Sequence, residues 1–121
     1  MCLYGNYLLV EVNYTQKENR HVAIDACIAK EIYELNKKGV QTVGCCCSHG
    51  DKEYNSHVLF LENSVSLMEE LGYRVEKYCY KDGKTYDIYI ANLKTGCNTE
   101  EDVIKWHINN NVPYRKNQGI L

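Results

Sequence analysis

The spacing of apolar positions changes several times along the chain, and each change marks an element. Tyr7-Leu8-Leu9-Val10-Glu11-Val12, inside the stretch 3–14, is a β-rich run and predicts a first strand. The polar residues 15–20 then read as a loop. From Asp25 to Gly39 the period lengthens: Ile28, Ile32 and Leu35 recur at i, i+4 and i+7, one face of a helix. Asp25 is expected to cap its first turn, Lys37 and Lys38 suit the dipole of its last, and Gly39 supplies a left-handed stop. Residues 40–46 predict a second strand. Residues 56–61 predict a third, apolar on both faces and therefore central in a sheet. Ser64 to Gly72 reads as a short helix with a serine start and a glycine stop. Residues 73–80 and 85–91 form the clearest hairpin, turned at Asp82-Gly83, with Val75 and Cys79 expected on the face of Tyr86, Ile88 and Ile90. Thr99-Glu100-Glu101-Asp102 opens a third helix whose apolar contacts are Val103, Ile104, Trp106 and Ile108; it ends near Asn111, before Pro113. Residues 114–121 read as a loosely held tail.

The order β-α-β-β-α-β-β-α predicts an α+β fold. It would be a single-domain sandwich over residues 1–121, with a mixed sheet of about five strands and helices packed on it. The first strand, first helix and second strand are expected to make a right-handed crossover between parallel neighbours. That arrangement sends His21, Asp25 and Cys27 to the end of the sheet where the second strand delivers Cys45, Cys46, Cys47 and His49. His57 would enter there too, and Cys97 would be carried to the same end, whereas Cys2 and Cys79 would lie elsewhere. Ligands in open α/β sheets sit beyond the carboxyl ends of parallel strands, so a site is expected there.

Composition narrows the classes of partner. A chain of 121 residues with 45% apolar content can bury a core as one domain. A formal net charge of −2 gives no basic footprint for nucleic acid. No apolar run approaches the roughly 20 residues that span a bilayer, and no signal peptide is visible. Membrane and nucleic-acid partners are therefore not expected. Seven cysteines, three of them adjacent, fit a disulfide framework poorly and suit a reducing cytoplasm. Eleven tyrosines against one phenylalanine suit half-buried strand positions, where the ring packs and the hydroxyl stays wet.

The chemistry concentrates in Gly44-Cys45-Cys46-Cys47-Ser48-His49-Gly50-Asp51. Three readings compete. As a metal site it would use Cys46 and His49, with two residues between them in a loop, with Cys27 or Cys47 and with His57 or Cys97; zinc is the candidate, since thiolate and imidazole suit it. As a thiol enzyme it would use one of Cys45, Cys46 or Cys47 as nucleophile, Cys46 foremost, and His49 as base, with Asp25 or Asp51 orienting the imidazole. The third reading is packing alone: buried cysteines fill a core like small apolar residues, and Gly44 and Gly50 permit a tight turn. A ligand pocket at the same end would draw on His21, Asp25, Cys47, His49 and His57. No dinucleotide fingerprint is present.

Asp25-x-Cys27-Ile28, Leu35-Asn36-x-x-Gly39-Val40-x-Thr42 and Cys46-Cys47-Ser48-His49-Gly50 together carry a resemblance. Over residues 21–72 the chain resembles a group of short proteins of phages, prophages and Gram-positive bacteria with a helix followed by a Cys-Cys-Gly-His motif. Ser48 stands where that group has glycine, which puts the loop backbone in question. The resemblance implies a phage-type accessory protein acting in the host cytoplasm. Its partner would be a small ligand, a nucleotide-like one included, or a host defence protein. Small binding proteins of this kind also form homo-oligomers with shared pockets. The sequence thus favours a non-enzymatic binding protein, with a Cys/His-dependent or zinc-dependent enzyme as the alternative.

Overall fold

The computed structural model describes residues 7–12, 20–47, 55–79, 85–95, 98–111 and 114–115. Its elements in chain order are β1 (Tyr7–Val12), β2 (Arg20–Asp25), α1 (Ala26–Lys37), β3 (Thr42–Cys46), β4 (His57–Leu61), α2 (Val65–Glu70), β5 (Glu76–Cys79), β6 (Thr85–Asn92), α3 (Glu100–Asn110) and β7 (Tyr114–Arg115). The fold is α+β: a four-stranded antiparallel sheet in the order β3-β4-β6-β5, a second sheet in the order β2-β1-β7, and the three helices.

The helical stripe read from the sequence is the heart of the core. Ile28 and Ile32 are fully buried and Leu35 nearly so, joined by Ala26, Cys27 and Ala29. Gly39 closes α1 with φ +100° and Gly72 follows α2 with φ +92°, backbone states that L side chains adopt only under strain. Strand β4 is central, as its apolar run predicts, paired on one edge with β3 and on the other with β6. Its side chains alternate: Val58 and Phe60 are fully buried, while His57, Leu59 and Leu61 are half-buried on the opposite face. Met68 of α2 and Val103 of α3 complete the packing against Val58, Phe60 and Ala91.

Four details differ from the sequence reading. First, residues 20–25 form β2, antiparallel to β1, where only a loop and a cap were expected. The strand runs into α1 without an intervening turn, so no breaker residue announces it. Second, the crossover is absent. β1 pairs with β2 and β7 while β3 pairs with β4, so the two strands expected as parallel neighbours belong to different sheets. Third, the hairpin register places Glu76 opposite Ile90 and Lys77 opposite Tyr89, with an irregularity before Cys79. Val75 therefore packs on the core side with Tyr89 and Ala91, not with Ile88 and Ile90. One residue of slip moves a whole strand to the other face. Fourth, Tyr114–Arg115, expected in the tail, pair with β1.

The caps also sort themselves. Thr99 Oγ1 accepts from the Asp102 N–H at 3.2 Å and starts α3 as expected. Asp25 precedes α1 but makes no side-chain cap. Ser64 makes none for α2; its hydroxyl instead accepts the Gln41 N–H at 2.9 Å, tying the α1–β3 connection to the end of β4.

Candidate functional site

The reactive residues meet where β3 ends, β4 and α1 begin, and β6 ends. The segment is knitted by hydrogen bonds. Ser56 Oγ donates to the Cys47 carbonyl at 3.2 Å, and the Leu93 N–H donates to the Ser56 carbonyl at 2.8 Å. Across the helix side, the Asn98 N–H and its side-chain Nδ2 both donate to the Cys27 carbonyl, at 2.8 and 2.9 Å. The ends of β3, β4 and β6 are thereby tied to one another, and the first turn of α1 to the lead-in of α3.

Strand alternation separates the three consecutive cysteines. Cys45 stands opposite Val58 on the core face, and Cys46 stands opposite His57 on the outer face. Cys47 follows the strand and is 2% exposed; Cys27, in the first turn of α1, is fully buried. None of these four is in a disulfide. Burial, followed by the nearby Asp25 carboxylate and the Cys46 sulfur, pushes the Cys45 thiol up to about 12. Cys45 is therefore a protonated core thiol at neutral pH. In native protein near pH 8, alkylation by iodoacetamide is expected at Cys46 well before Cys27, Cys45 or Cys47. Tandem mass spectrometry of the labelled peptides carrying Cys27 and Cys45 to Cys47 reads this directly, and labelling of Cys45 first would contradict it.

His57 completes the outer-face pair. Its register neighbours are Cys46 on one side and Asn92 on the other, so a polar row crosses the sheet at this end. Beyond that row the same face continues as Gly44, Leu59 and Ile90; a Cβ on Gly44 would touch Leu59 Cδ1 at 3.6 Å. His57 Nδ1 lies 3.3 Å from the Asn55 carbonyl oxygen. A carbonyl only accepts, so in this contact Nδ1 is the donor. Orientation of a histidine through its far nitrogen is the arrangement found behind ligating imidazoles.

The remaining candidates are dispersed. Asp25 ends β2 and acts on Cys45 as a charge. His21 sits four positions upstream in β2, opposite Glu11, which separates it from Asp25 by about 13 Å of extended backbone. Cys79 ends β5, at the end of β6 remote from Asn92. Cys2, Ser48, His49, Asp51 and Cys97 lie outside the described residues, and with them the roles expected of His49 as ligand and base. Among the described residues no group of three or more His, Cys, Asp or Glu side chains is placed to hold a metal ion.

One residue that shapes this end was not singled out from the sequence. Glu31 is 5% exposed on the buried side of α1. Its carboxylate accepts the Lys94 N–H at 2.8 Å, the Thr95 N–H at 2.9 Å, the Thr95 hydroxyl at 2.7 Å and the Tyr73 hydroxyl at 2.5 Å. Lys94 also donates to the Leu71 carbonyl and stands 4.5 Å over the Tyr73 ring. The carboxylate thus fixes the chain leaving β6. The signal was present: Glu31 falls three residues after Ile28, within the apolar stripe of α1, where an acid needs a reason.

No helix among the described residues is long and apolar enough to cross a membrane. No protein-family model matches the chain, and no curated protein or solved structure matches it significantly.

Proposed function

We propose that the chain is a small non-enzymatic binding protein of the phage-accessory type, acting in the host cytoplasm. Its recognition end would be the outer sheet face around Cys46 and His57. The cross-strand pairing of Cys46 with His57, whose Nδ1 lies against the Asn55 carbonyl, carries the reading. Two soft donors side by side make half of a tetrahedral zinc set. His49, three residues after Cys46, is a further donor close in sequence. The burial of Cys27 and Cys47 favours packing as their role over ligation. The sequence resemblance supports the accessory setting, where the bound partner would be a small ligand or a host defence protein.

Elemental analysis of freshly reduced protein tests the metal reading. About one zinc per chain is expected in the wild type, lost in both Cys46→Ser and His57→Ala while the fold survives. Protein that takes up no zinc or cobalt from supplemented buffer would exclude it. The same adjacency also favours a second reading, in which Cys46 is a nucleophile and His57 takes its proton. Turnover by metal-free wild-type protein, abolished in Cys46→Ser, would favour this second reading over the metal site.

A further inference from the structure

A cleft of about 410 Å³ opens between α1 and α3, on the helix side of the core and facing away from the Cys46–His57 pair. That is within the range of small-molecule sites, about 300–1,000 Å³. Its floor is Ala26 and Val103, both buried. One wall is Trp106, the only tryptophan of the chain, held edge to face against Tyr33 with ring centroids 5.3 Å apart.

The polar groups of the cleft have a consistent bias. Asn98 uses its Nδ2 on the Cys27 carbonyl and Asn110 uses its own on the Trp106 carbonyl, each at 2.9 Å. Both amides are thereby oriented, and each has left over Oδ1, an acceptor, and a second Nδ2–H, a donor. Asp102 adds a carboxylate, a third acceptor. Further donors are the ammonium groups of Lys30 and of Lys105, the latter held 3.0 Å from Glu101. An anionic ligand would meet Asp102 and the amide oxygens, and a cationic one would meet two lysines. A neutral molecule rich in hydroxyls satisfies both kinds of group, because each hydroxyl donates and accepts. The half-buried indole beside them suits the C–H face of a ring.

We propose that the α1–α3 cleft binds a neutral polyhydroxylated ring, either a free sugar or the ribose of a nucleoside. Trp106 packs on the ring, and Asp102, Asn98 and Asn110 accept from its hydroxyls. This site is independent of the sheet-face reading above.

The single tryptophan makes the test direct. Uniformly ¹⁵N-labelled full-length protein is titrated separately with glucose, adenosine and inorganic phosphate. The indole N–H of Trp106 and the side-chain amides of Asn98 and Asn110 are followed by NMR. Saturable shifts with glucose, or with adenosine, are expected; the first assigns a free sugar and the second a ribose. Asp102→Asn keeps the exposed surface and the Thr99 cap, which uses the Asp102 backbone, and is expected to weaken binding about tenfold. Lys30→Ala provides a second variant on the other helix, expected to weaken binding by about the same factor. Absence of saturable shifts with both organic probes, a response to phosphate alone, or unchanged affinity in both variants would overturn the proposal.

Discussion

Glu31→Ala is expected to destabilise the protein by about 4 kcal/mol, because it strands four donors that now share one carboxylate. For a chain of this size that corresponds to a fall in Tm of about 15 °C. Two of the donors are backbone N–H groups of Lys94 and Thr95 and cannot turn elsewhere without moving the chain after β6. Exposed Glu34, three residues on, supplies the control: Glu34→Ala is expected to change stability by no more than about 0.5 kcal/mol.

The same network sets an acid dependence. Burial pushes the Glu31 carboxyl up, but the Tyr73 hydroxyl, the Lys94 and Thr95 N–H groups and the Thr95 hydroxyl outweigh it. The net effect holds the group below the usual carboxylate range. Its stabilisation is therefore complete above the ordinary glutamate value and fades as pH falls through the lower folded value. Urea unfolding across pH should show wild type and Glu31→Gln converging in acid and diverging toward neutrality. A constant gap between them would refute the assignment. Tyr73 titrates in the opposite direction, raised by its burial and then by Glu31, so it remains a donor throughout this window.

Phe60→Ala should be equally severe, about 4 kcal/mol, whereas Leu59→Ala next to it should cost less than about 1.5 kcal/mol. Phe60 is fully buried on the inner face of β4 between Thr42 and Tyr89, and Leu59 is half-buried on the outer face. Urea midpoints of the two variants therefore read out which face of the sheet meets the helices. Equal losses would mean that the outer face is as tightly packed as the inner one.

That alternation explains what the sequence could and could not reveal. Ile28, Ile32, Leu35 and Gly39 announced α1 because a 3.6 period and a left-handed stop are local properties. The central position of β4 was equally legible from an apolar run on both faces. Pairing is not local. The irregularities between Thr42 and Gly44 and between Lys77 and Cys79 shift the register, and no residue pattern marks them. Strand β2 escaped because it passes into α1 without a turn. At the site, the cluster of Cys45, Cys46 and Cys47 was visible, but three adjacent thiols look alike on paper. Only the strand phase separates Cys45, facing Val58 and the core, from Cys46, facing out beside His57. The Thr42–Asn36 pair is a further case. Both are buried polar residues whose side chains satisfy each other, with Asn36 Nδ2 also reaching the Ile32 carbonyl at 2.9 Å. Nothing in either segment alone predicts that contact.

Cobalt titration of reduced protein tests most directly whether Cys46 and His57 act as one pair on the outer face. Cobalt bound through a thiolate gives a near-ultraviolet charge-transfer band, and a tetrahedral set gives intense visible bands. The expected result is saturation at about one cobalt per chain, with the charge-transfer band absent in Cys46→Ser. His57→Ala should weaken uptake on the order of 100-fold, as loss of a ligand does. A band that persists unchanged in either variant, or no cobalt bound at all, would contradict the pairing as a functional site.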